Sequence, residues 1–360
     1  MNILYISPEH ISGTLPLFCK GHIDRGNYSR YVTMFPTHYE FPEDLTLKLP
    51  LHPDKSWVLR GRRALQKIRG IPFDFEPPGN PPFWKPSGLL EKTFFNFRDI
   101  LINKKVYNFM DLNGLWDYDV YHLEQGMDFF RDSRIMLKLK SVGKKIVCFY
   151  HGTDVRNRGV IREIDQISDL NLTSELDLLD KYPGMKYLFL PIDTKKVVPV
   201  PHNNKKIKIA HAVRSRTAKG TDYIIEVVKK LELKYPAELV LIENEPHEHC
   251  MEIKAGCDIY IDQLADRGGW GYGMSSVESL CQGLATCTYL NEKYLKFIPD
   301  HGFVNVNYDT LEQELIKLIT NDSYRKMVSD KGREWVVKKH DLSVVMDQLY
   351  NYYEEAGITS

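Results

Sequence analysis

One loop in the second half of the sequence carries a cluster of cations placed to bind a phosphorylated ligand. The segment HAVRSRTAKGTDY contains Arg214, Arg216 and Lys219 immediately before a predicted helix. The free N–H groups and the dipole at a helix start favour an anion. Up to three cations fit a diphosphate better than a single carboxylate. The alternative is a basic surface loop in which Thr221 caps the helix, and this loop taken alone favours that alternative.

A second loop combines glycines with a following carboxylate. The residues GGWGYG, at 268–273, include four glycines and precede a predicted helix that carries Glu278. Glycine costs roughly 0.5–1 kcal/mol relative to alanine inside a regular element, so we expect a ligand to approach this backbone closely. The Glu278 carboxylate suits the two vicinal hydroxyls of a ribose. The spacing from Ser275 also fits an S-x-x-E capping box, and the two interpretations are about equally supported.

Polar residues also follow predicted strands in the first half. DYDVYHLEQG places His122 and Glu124 at one strand end, and KKIVCFYHGTDVR places His151 and Asp154 at another. Ligands of open α/β sheets bind at the carboxyl ends of strands. Gly13, after the first predicted strand, is positioned to start a helix close to a ligand. A lone histidine is more often structural, but two at successive strand ends favour a site.

The elements that must position these residues alternate between short apolar runs and helical periodicity. This pattern predicts parallel sheets of an α/β protein. Strands are predicted at 2–7, 29–35, 119–124, 144–150, 169–174 and 186–192, and then at 207–212, 238–244, 257–263, 284–290 and 303–307.

A stretch rich in proline, asparagine and lysine, VVPVPHNNKK at 197–206, is typical of a linker. We therefore predict domains at 1–196 and 207–340, joined by that linker. A C-terminal helix within 341–360 is expected to pack back on the first domain.

The region 36–110 is predicted to be an irregular, proline- and aromatic-rich insertion. Within it, residues 56–70 carry five arginines and lysines after Trp57 and no acid. One interpretation is an amphipathic patch that contacts anionic lipid or a lipid-linked substrate. The other, which we favour, is a solvated basic face whose apolar stripe packs in the core.

The composition of the chain argues against several classes of protein, including nucleic-acid-binding, secreted, membrane-spanning and zinc-binding proteins. The 360 residues have a formal net charge of zero, which argues against bulk electrostatic binding of nucleic acid. The sequence contains no signal-peptide pattern and no apolar stretch of transmembrane length. The six cysteines lack zinc-site spacing, and we expect reduced, buried thiols. We therefore expect a cytoplasmic protein, peripheral at the inner membrane face if 56–70 binds lipid.

Five segments in order resemble motifs of one enzyme family. These are DYDVYHLEQG, KKIVCFYHGTDVR, KYLFLPID, HAVRSRTAKGTDYII and ADRGGWGYGMSSVESLCQGLATC. Together they resemble the GT-B glycosyltransferases of the "glycosyl transferases group 1" type, which are retaining enzymes with nucleotide-sugar donors. The resemblance covers nearly the whole chain and is strongest from 117 to 290. It implies two Rossmann-like parallel-sheet domains that face a central cleft.

The resemblance also implies roles for individual residues. The donor diphosphate would be held by Arg214 or Arg216, Lys219, the backbone of Gly273, Met274 and Ser275, and Gly13. Glu278 would bind the donor ribose, and Glu243 and Asn244 would lie near the donor base. His122 would lie near the donor sugar, with His151 and Asp154 on the acceptor side as the other catalytic candidates.

The sequence departs from the family pattern at two positions. Members often have two glutamates spaced E-x7-E, but the position that would pair with Glu278 is Trp270. The contact that the first of these glutamates makes with the donor sugar is then absent from this chain, or Asp266 makes it instead. Some members have a second histidine two residues after the first, where this chain has Glu124.

We therefore expect a retaining glycosyltransferase that uses a nucleoside-diphosphate sugar and needs neither a metal nor a further cofactor. Its acceptor would be a glycan, a lipid-linked molecule or a small molecule. Two alternatives remain: a nucleotide-sugar epimerase on the same fold, and a non-catalytic subunit that binds nucleotide sugars. A dinucleotide oxidoreductase is more distant, because no phosphate-binding fingerprint follows the first strand.

Overall fold

The protein folds as two compact units. The computed structural model describes residues 1–10, 12–37, 41–51, 78–86, 88–267 and 270–359. Unit 1 comprises Met1–Leu188 and Asp347–Ser360, and unit 2 comprises Phe189–Met346. The basic segment 56–70, for which a lipid contact was one interpretation, lies outside the described residues.

The described part of unit 1 is built on a parallel sheet of seven strands in the order β3-β2-β1-β4-β5-β6-β7. Its strands are β1 (Asn2–Ser7), β2 (Tyr28–Thr33), β3 (Leu45–Thr46), β4 (Val120–Glu124), β5 (Lys145–Tyr150), β6 (Leu170–Thr173) and β7 (Lys186–Tyr187). Its helices are α1 (Leu15–Ile23), α2 (Leu89–Leu112), α3 (Arg134–Ser141), α4 (Arg162–Asp165) and α5 (Leu178–Lys181), and a π-helical turn spans Asp154–Arg158.

The described part of unit 2 contains a second parallel sheet, of five strands in the order β12-β11-β10-β8-β9. Its strands are β8 (Ile207–Val213), β9 (Ala237–Glu243), β10 (Ile259–Ile261), β11 (Ala285–Thr288) and β12 (Val304–Asn305). Its helices are α6 (Arg216–Lys219), α7 (Thr221–Glu232), α8 (His247–Ala255), α9 (Met274–Cys281), α10 (Glu292–Phe297), α11 (Leu311–Thr320) and α12 (Asp322–His340). The last helix of the chain, α13 (Leu342–Glu355), contributes residues to both units.

The two parallel sheets confirm the predicted α/β class. Every predicted strand overlaps an observed one, because buried parallel strands are continuous apolar runs. Three are much shorter than predicted: β7, β10 and β12. The two-residue strand β3 was not predicted, since so short a run carries no periodicity.

The units divide at different residues from those the sequence suggested. The proline-rich segment 197–206 belongs to unit 2 together with residues 189–196. Arg333 of α12 explains this, because its guanidinium donates to the carbonyl oxygens of Thr194 and Val197, each at 3.0 Å. The end of the chain, from Asp347, belongs to unit 1. Among the helices that the structure describes, none combines the length and apolar character needed to cross a bilayer.

Close packing against α12 fixes the position of α9 in unit 2. A Cβ atom on Gly332 of α12 would lie 2.5 Å from Cδ2 of Leu280 on α9. On its other side, Gly332 meets the loop before β12, where a Cβ on Gly302 would lie 2.3 Å from the Gly332 Cα. The two glycines therefore let the loop pack directly on the backbone of α12, and Gly332 leaves room for the Leu280 side chain of α9.

This packing predicts a contrast between two glycine substitutions. Gly302→Ala would press a methyl group against backbone that cannot yield, and we expect a loss of about 1–3 kcal/mol in the free energy of unfolding. Gly332→Ala meets chiefly a flexible leucine side chain and removes a glycine from a helix interior, so we expect a change of less than about 1 kcal/mol. Urea unfolding of the two variants measures the difference. Equal losses would contradict this account of the packing.

Candidate functional site

Four of the residues predicted to bind the donor, Gly273, Met274, Ser275 and Glu278, lie in unit 2 at the start of α9. The helix begins at Met274, with Gly273 as its N-cap, and its backbone hydrogen bonding starts with the N–H of Ser276, which donates to the Gly273 oxygen at 3.0 Å. The N–H groups of Gly273, Met274 and Ser275 make no hydrogen bond within the described residues. A Cβ on Gly273 would meet no atom within 4 Å. The helix start therefore offers three amide donors with open space beside them, which suits an anion.

The turn before α9 owes its shape to glycine and to Asp266. Gly271 has a φ of +71°, and a Cβ there would lie 2.5 Å from the Tyr294 ring. The Asp266 carboxylate accepts the Gly271 N–H at 2.9 Å and the Asn291 amide at 2.7 Å. Asp266 therefore holds the turn in place, which argues against its replacing the missing family glutamate at Trp270.

Glu278 is a buried, ionised carboxylate in the second turn of α9. Its Oε2 accepts from Nζ of Lys254 at 2.5 Å, and its Oε1 is 2.7 Å from Nε2 of His247. Burial alone would raise the pKa of Glu278, but the Lys254 charge and the His247 hydrogen bond outweigh it and lower the pKa to about 2. The capping-box interpretation is wrong, because the helix starts before Ser275 and the carboxylate turns to Lys254 and His247.

Lys254 is the main residue of this site that sequence reasoning missed. Its side chain is 0% exposed, and its ammonium lies 3.3 Å from Oγ of Ser275 and 5.5 Å from the Tyr260 ring centroid. The hydroxyl groups of Tyr260 and Ser275 are in turn 2.7 Å apart. No pattern marks Lys254, because a lysine near the end of an amphipathic helix usually lies in solvent.

A second buried ion pair joins the basic loop to α9. Nζ of Lys219 pairs with the Asp262 carboxylate, which is fully buried and also accepts from Oγ of Ser276 at 2.6 Å. Burial would raise the pKa of Asp262, but the charge of Lys219 outweighs it, and the net shift is downward. Asp262 was not singled out from the sequence, although a polar residue directly after a buried strand was a signal for it.

The other predicted cations of unit 2 lie on the surface. Arg216 is 43% exposed and pairs with Asp222 and Glu243, at 2.6 and 2.8 Å. Glu243 thus binds Arg216, and Asn244 follows it with a φ of +59°. Arg214 is exposed at the end of β8. Thr221 does not cap α7, since the N-cap is Gly220, and its hydroxyl instead meets Nε2 of His211 at 2.9 Å.

In unit 1, the structure brings His151 and Glu124 together at the carboxyl edge of the sheet. Nε2 of His151 hydrogen-bonds to Oε2 of Glu124, while Oε1 of Glu124 is buried without a partner among the described residues. Burial would lower the pKa of His151, but the Glu124 charge outweighs it and raises that pKa. The His151 side chain remains 27% exposed, so the pair can meet a ligand.

Two other residues of unit 1, His122 and Asp154, were predicted to be catalytic, but their contacts give them structural roles. His122 is 1% exposed, stacks on Tyr5 with a centroid separation of 4.4 Å, and bonds the Tyr353 hydroxyl. Burial holds its pKa well below the usual value. Asp154 accepts backbone N–H groups of His151, Gly152 and Val155 at 2.8–2.9 Å. We therefore correct both assignments: His122 is a core residue, and Asp154 shapes the turn that carries His151.

Gly13 follows β1 with a φ of +71°, and a Cβ there would lie 2.9 Å from the Phe41 ring. Position 13 therefore requires glycine because of its backbone conformation and the nearby Phe41 ring. The predicted contact of Gly13 with the diphosphate stays a prediction. Among the described residues, no group of three or more His, Cys, Asp or Glu side chains is placed to bind a metal ion. The expectation that the reaction needs no metal likewise stays a prediction.

Comparison with known proteins identifies the fold. No family model matches the sequence, and no curated protein is significantly similar to it. The structure resembles Anabaena Alr3699/HepE, solved with UDP, at a TM-score of 0.57 and 10% identity, covering 99% of this chain and 100% of that one.

Two further solved structures are similar over nearly the whole chain. S. aureus TarM, solved with UDP among other ligands, gives a TM-score of 0.57 at 9% identity and covers 98% of this chain and 100% of its own. The glycosyltransferase SnogD from Streptomyces nogalater gives 0.50 at 15% identity and covers 98% of this chain and 99% of its own. At such identities the likeness establishes the fold alone. The chain therefore has the GT-B fold of these glycosyltransferases, with a parallel sheet in each unit.

Proposed function

We propose that this protein is a glycosyltransferase that moves a sugar from a nucleoside-diphosphate sugar to an acceptor hydroxyl, with retention of configuration and without a metal. The acceptor would be a glycan, a lipid-linked molecule or a small molecule. The observation that carries the proposal is the fixed, ionised Glu278 beside a helix start with unused amides. Structural neighbours with the same fold bind UDP and UDP-glucose, which supports a nucleotide-sugar donor.

The geometry around α9 suits the two parts of such a donor. A carboxylate has about four lone-pair sites, and Lys254 and His247 use two of those on Glu278. The remaining sites can accept two vicinal ribose hydroxyls. Four positions earlier in α9, the amides of Gly273, Met274 and Ser275 can donate to the diphosphate.

Charge at the leaving diphosphate would be stabilised by groups that are already in place. As the bond to the sugar breaks, negative charge develops on the phosphate oxygen. The helix start and the Lys219 ammonium, which Asp262 holds against α9, can stabilise that charge without reorganising. In a retaining transfer the leaving phosphate oxygen accepts the proton of the acceptor hydroxyl, so the protein need not supply a base.

A second candidate, transfer with inversion, is favoured by the His151–Glu124 pair. An inverting displacement needs a base for the acceptor proton. The Glu124 carboxylate orients the imidazole through Nε2 and would stabilise the imidazolium after proton transfer. The Glu124 charge raises the pKa of His151, which makes the imidazole a stronger base for the acceptor proton.

A ligand panel tests whether a nucleoside diphosphate binds. We expect one of UDP, GDP or ADP to stabilise the protein by about 2.7 kcal/mol at 100 times its dissociation constant, with no response to CMP or NAD. The matching nucleotide sugar should then yield free nucleoside diphosphate and a glycoside. Turnover of the nucleotide sugar without a glycoside would favour an epimerase instead. Binding without turnover, with every acceptor tried, would favour a non-catalytic subunit.

The His151 side chain separates the two stereochemical outcomes. For a retaining transfer, His151→Gln should lower kcat less than about tenfold, because no protein base is involved. For an inverting transfer, it should lower kcat by about 10²–10⁴. NMR of the first-formed product reports its anomeric configuration independently. A product of inverted configuration would refute the retention that we propose.

The buried pair separates folding from binding. Lys254→Met leaves Glu278 buried without its main countercharge, and we expect a loss of roughly 3–5 kcal/mol in the free energy of unfolding. The double variant with Glu278→Leu should recover most of the lost stability, because the unpaired charge is gone. Neither variant should respond to the nucleoside diphosphate. Lys230→Met is the matched control, since it removes an exposed pair with Glu312 and should leave the free energy of unfolding nearly unchanged.

Two outcomes would contradict this assignment of Glu278. One is a double variant whose loss of stability equals the sum of the losses of the two single variants. The other is a double variant that still binds the nucleotide normally.

The same pair predicts a pH dependence of stability. The pKa of Glu278 is about 2 in the folded protein, against 4.5 for an ordinary glutamate, so folding favours the charged form. This contribution, roughly 3 kcal/mol, is complete above about pH 4.5 and is lost as the pH falls toward 2. Urea unfolding at a series of pH values should show a shallower acid limb for Lys254→Met than for the native protein. Parallel limbs would show that Lys254 does not hold this carboxyl ionised.

A further inference from the structure

A cluster of arginines in unit 1 lies at the sheet edge that carries His151 and Glu124. The loop after β4 contains Arg131, and the π-helical turn after β5 contains Arg158. Arg158 donates to the carbonyl oxygen of Gln125, the residue directly after Glu124. Carboxyl ends of parallel strands are where ligands of such sheets bind.

Arg131 has aromatic neighbours in place of an acidic partner. Its guanidinium lies 4.7 Å from the Phe95 ring centroid and 5.2 Å from that of Trp84, and Nη1 is 3.4 Å from Sδ of Met127. Within the described part of the chain it forms no ion pair. Aromatic faces attract a cation but do not neutralise its charge.

The nearest arginines add positive charge around it. Arg98 pairs with Asp99 at 2.9 Å, and the same carboxylate also accepts the backbone N–H of Arg131 at 2.9 Å. Arg158 donates only to the carbonyl oxygens of Gln125 and Gly159 among the described residues. Burial, followed by the charges of Arg158 and Arg98, lowers the pKa of Arg131 to about 9. Arg131 is thus still charged at neutral pH, and the charges of Asp99 and Glu91, which act in the opposite direction, do not outweigh this lowering of its pKa.

Arg131 is partly exposed, and its guanidinium has no counterion among the described residues. A cation partly withdrawn from water in this way is costly, and a bound anion would relieve that cost. We propose that Arg131, with Arg158, forms a binding site for a phosphoryl group in unit 1. A guanidinium fork suits two phosphate oxygens, and two such forks suit the several oxygens of a phosphoryl dianion. The site lies beside the His151–Glu124 pair, so the phosphoryl group belongs to the acceptor. This last step rests on the proposed function, whereas the anion site does not.

The test uses thermal shift with inorganic phosphate and with glucose 6-phosphate, at constant ionic strength, and with glucose as the uncharged control. We expect both phosphates to stabilise the native protein and Arg131→Met to bind them about 10- to 100-fold more weakly. Arg134→Met is the matched control. Arg134 also lies over an aromatic ring, that of Phe130 at 4.6 Å, but it has its own carboxylate partner, Asp132, at 2.6 Å. This variant should respond to phosphate as the native protein does.

Arg131→Met removes an unpaired cation, so we expect it to fold at least as stably as the native protein. Arg131→Lys is a second variant, which keeps the charge but loses the fork, and it should bind phosphate with intermediate affinity. An equal response of Arg131→Met and the native protein, or no response from either, would overturn the anion site. Equal responses to inorganic phosphate and glucose 6-phosphate would overturn the assignment of the phosphoryl group to a larger acceptor molecule, because the rest of that molecule would contribute nothing to binding.

The nucleoside diphosphate response separates this proposal from the proposed function. Arg131→Met should keep that response, because Glu278, Lys219 and the start of α9, on which the proposed donor site depends, lie in unit 2. If no nucleoside diphosphate binds the native protein, the proposed function fails while the phosphate result still decides the anion site. If Arg131→Met loses both responses, phosphate binding does not report a separate site in unit 1, and the inference fails.

Discussion

The account of this protein depends on the buried ion pair between Lys254 and Glu278. Two charges withdrawn from water are stable only when each fully compensates the other, so such a pair is weak support for stability as such. Its physical effect here is to hold one carboxylate ionised and in a fixed rotamer on α9. A carboxylate free to rotate or to take up a proton would bind a diol less selectively. We therefore interpret the cost of burying Lys254 as the cost of keeping Glu278 in place.

The rest of unit 2 supports α9 at the position where that carboxylate is useful. The Asp262 carboxylate joins Ser276 of α9 to Lys219 of the basic loop. Gly332 lets α12 approach Leu280 of α9 closely, and Gly302 lets the loop before β12 approach α12. As a result, the first amides of α9 and its Glu278 keep fixed positions relative to Lys219 and Lys254. Such preorganisation is what electrostatic stabilisation of a leaving group requires.

The sequence was informative where the local pattern carries the physics. Apolar runs identified the strands of both sheets except the two-residue β3, and glycines before a helix identified the turn that leads into α9 at Gly271 and Gly273. It failed for interactions between residues distant in sequence. Lys254 and Glu278 are on different helices, and nothing in either helix shows that they meet. His122 and His151 looked equivalent at two strand ends, but the chain end buries one under Tyr353 and leaves the other exposed. Asp154 was expected to face a ligand, because the backbone amides that it accepts cannot be seen in a side-chain pattern.

The most direct test of the account asks whether Glu278 contacts the ribose of a nucleotide. The nucleoside diphosphate that stabilises the protein most would be compared by calorimetry with its 2′-deoxy and 3′-deoxy forms, on the native protein and on Glu278→Gln. Each lost hydrogen bond to a charged group should weaken binding to the native protein by about 10- to 100-fold. Glu278→Gln should bind all three forms weakly and with little discrimination. If the native protein binds the deoxy forms as tightly as the ribonucleotide, Glu278 does not bind ribose and the central assignment is wrong.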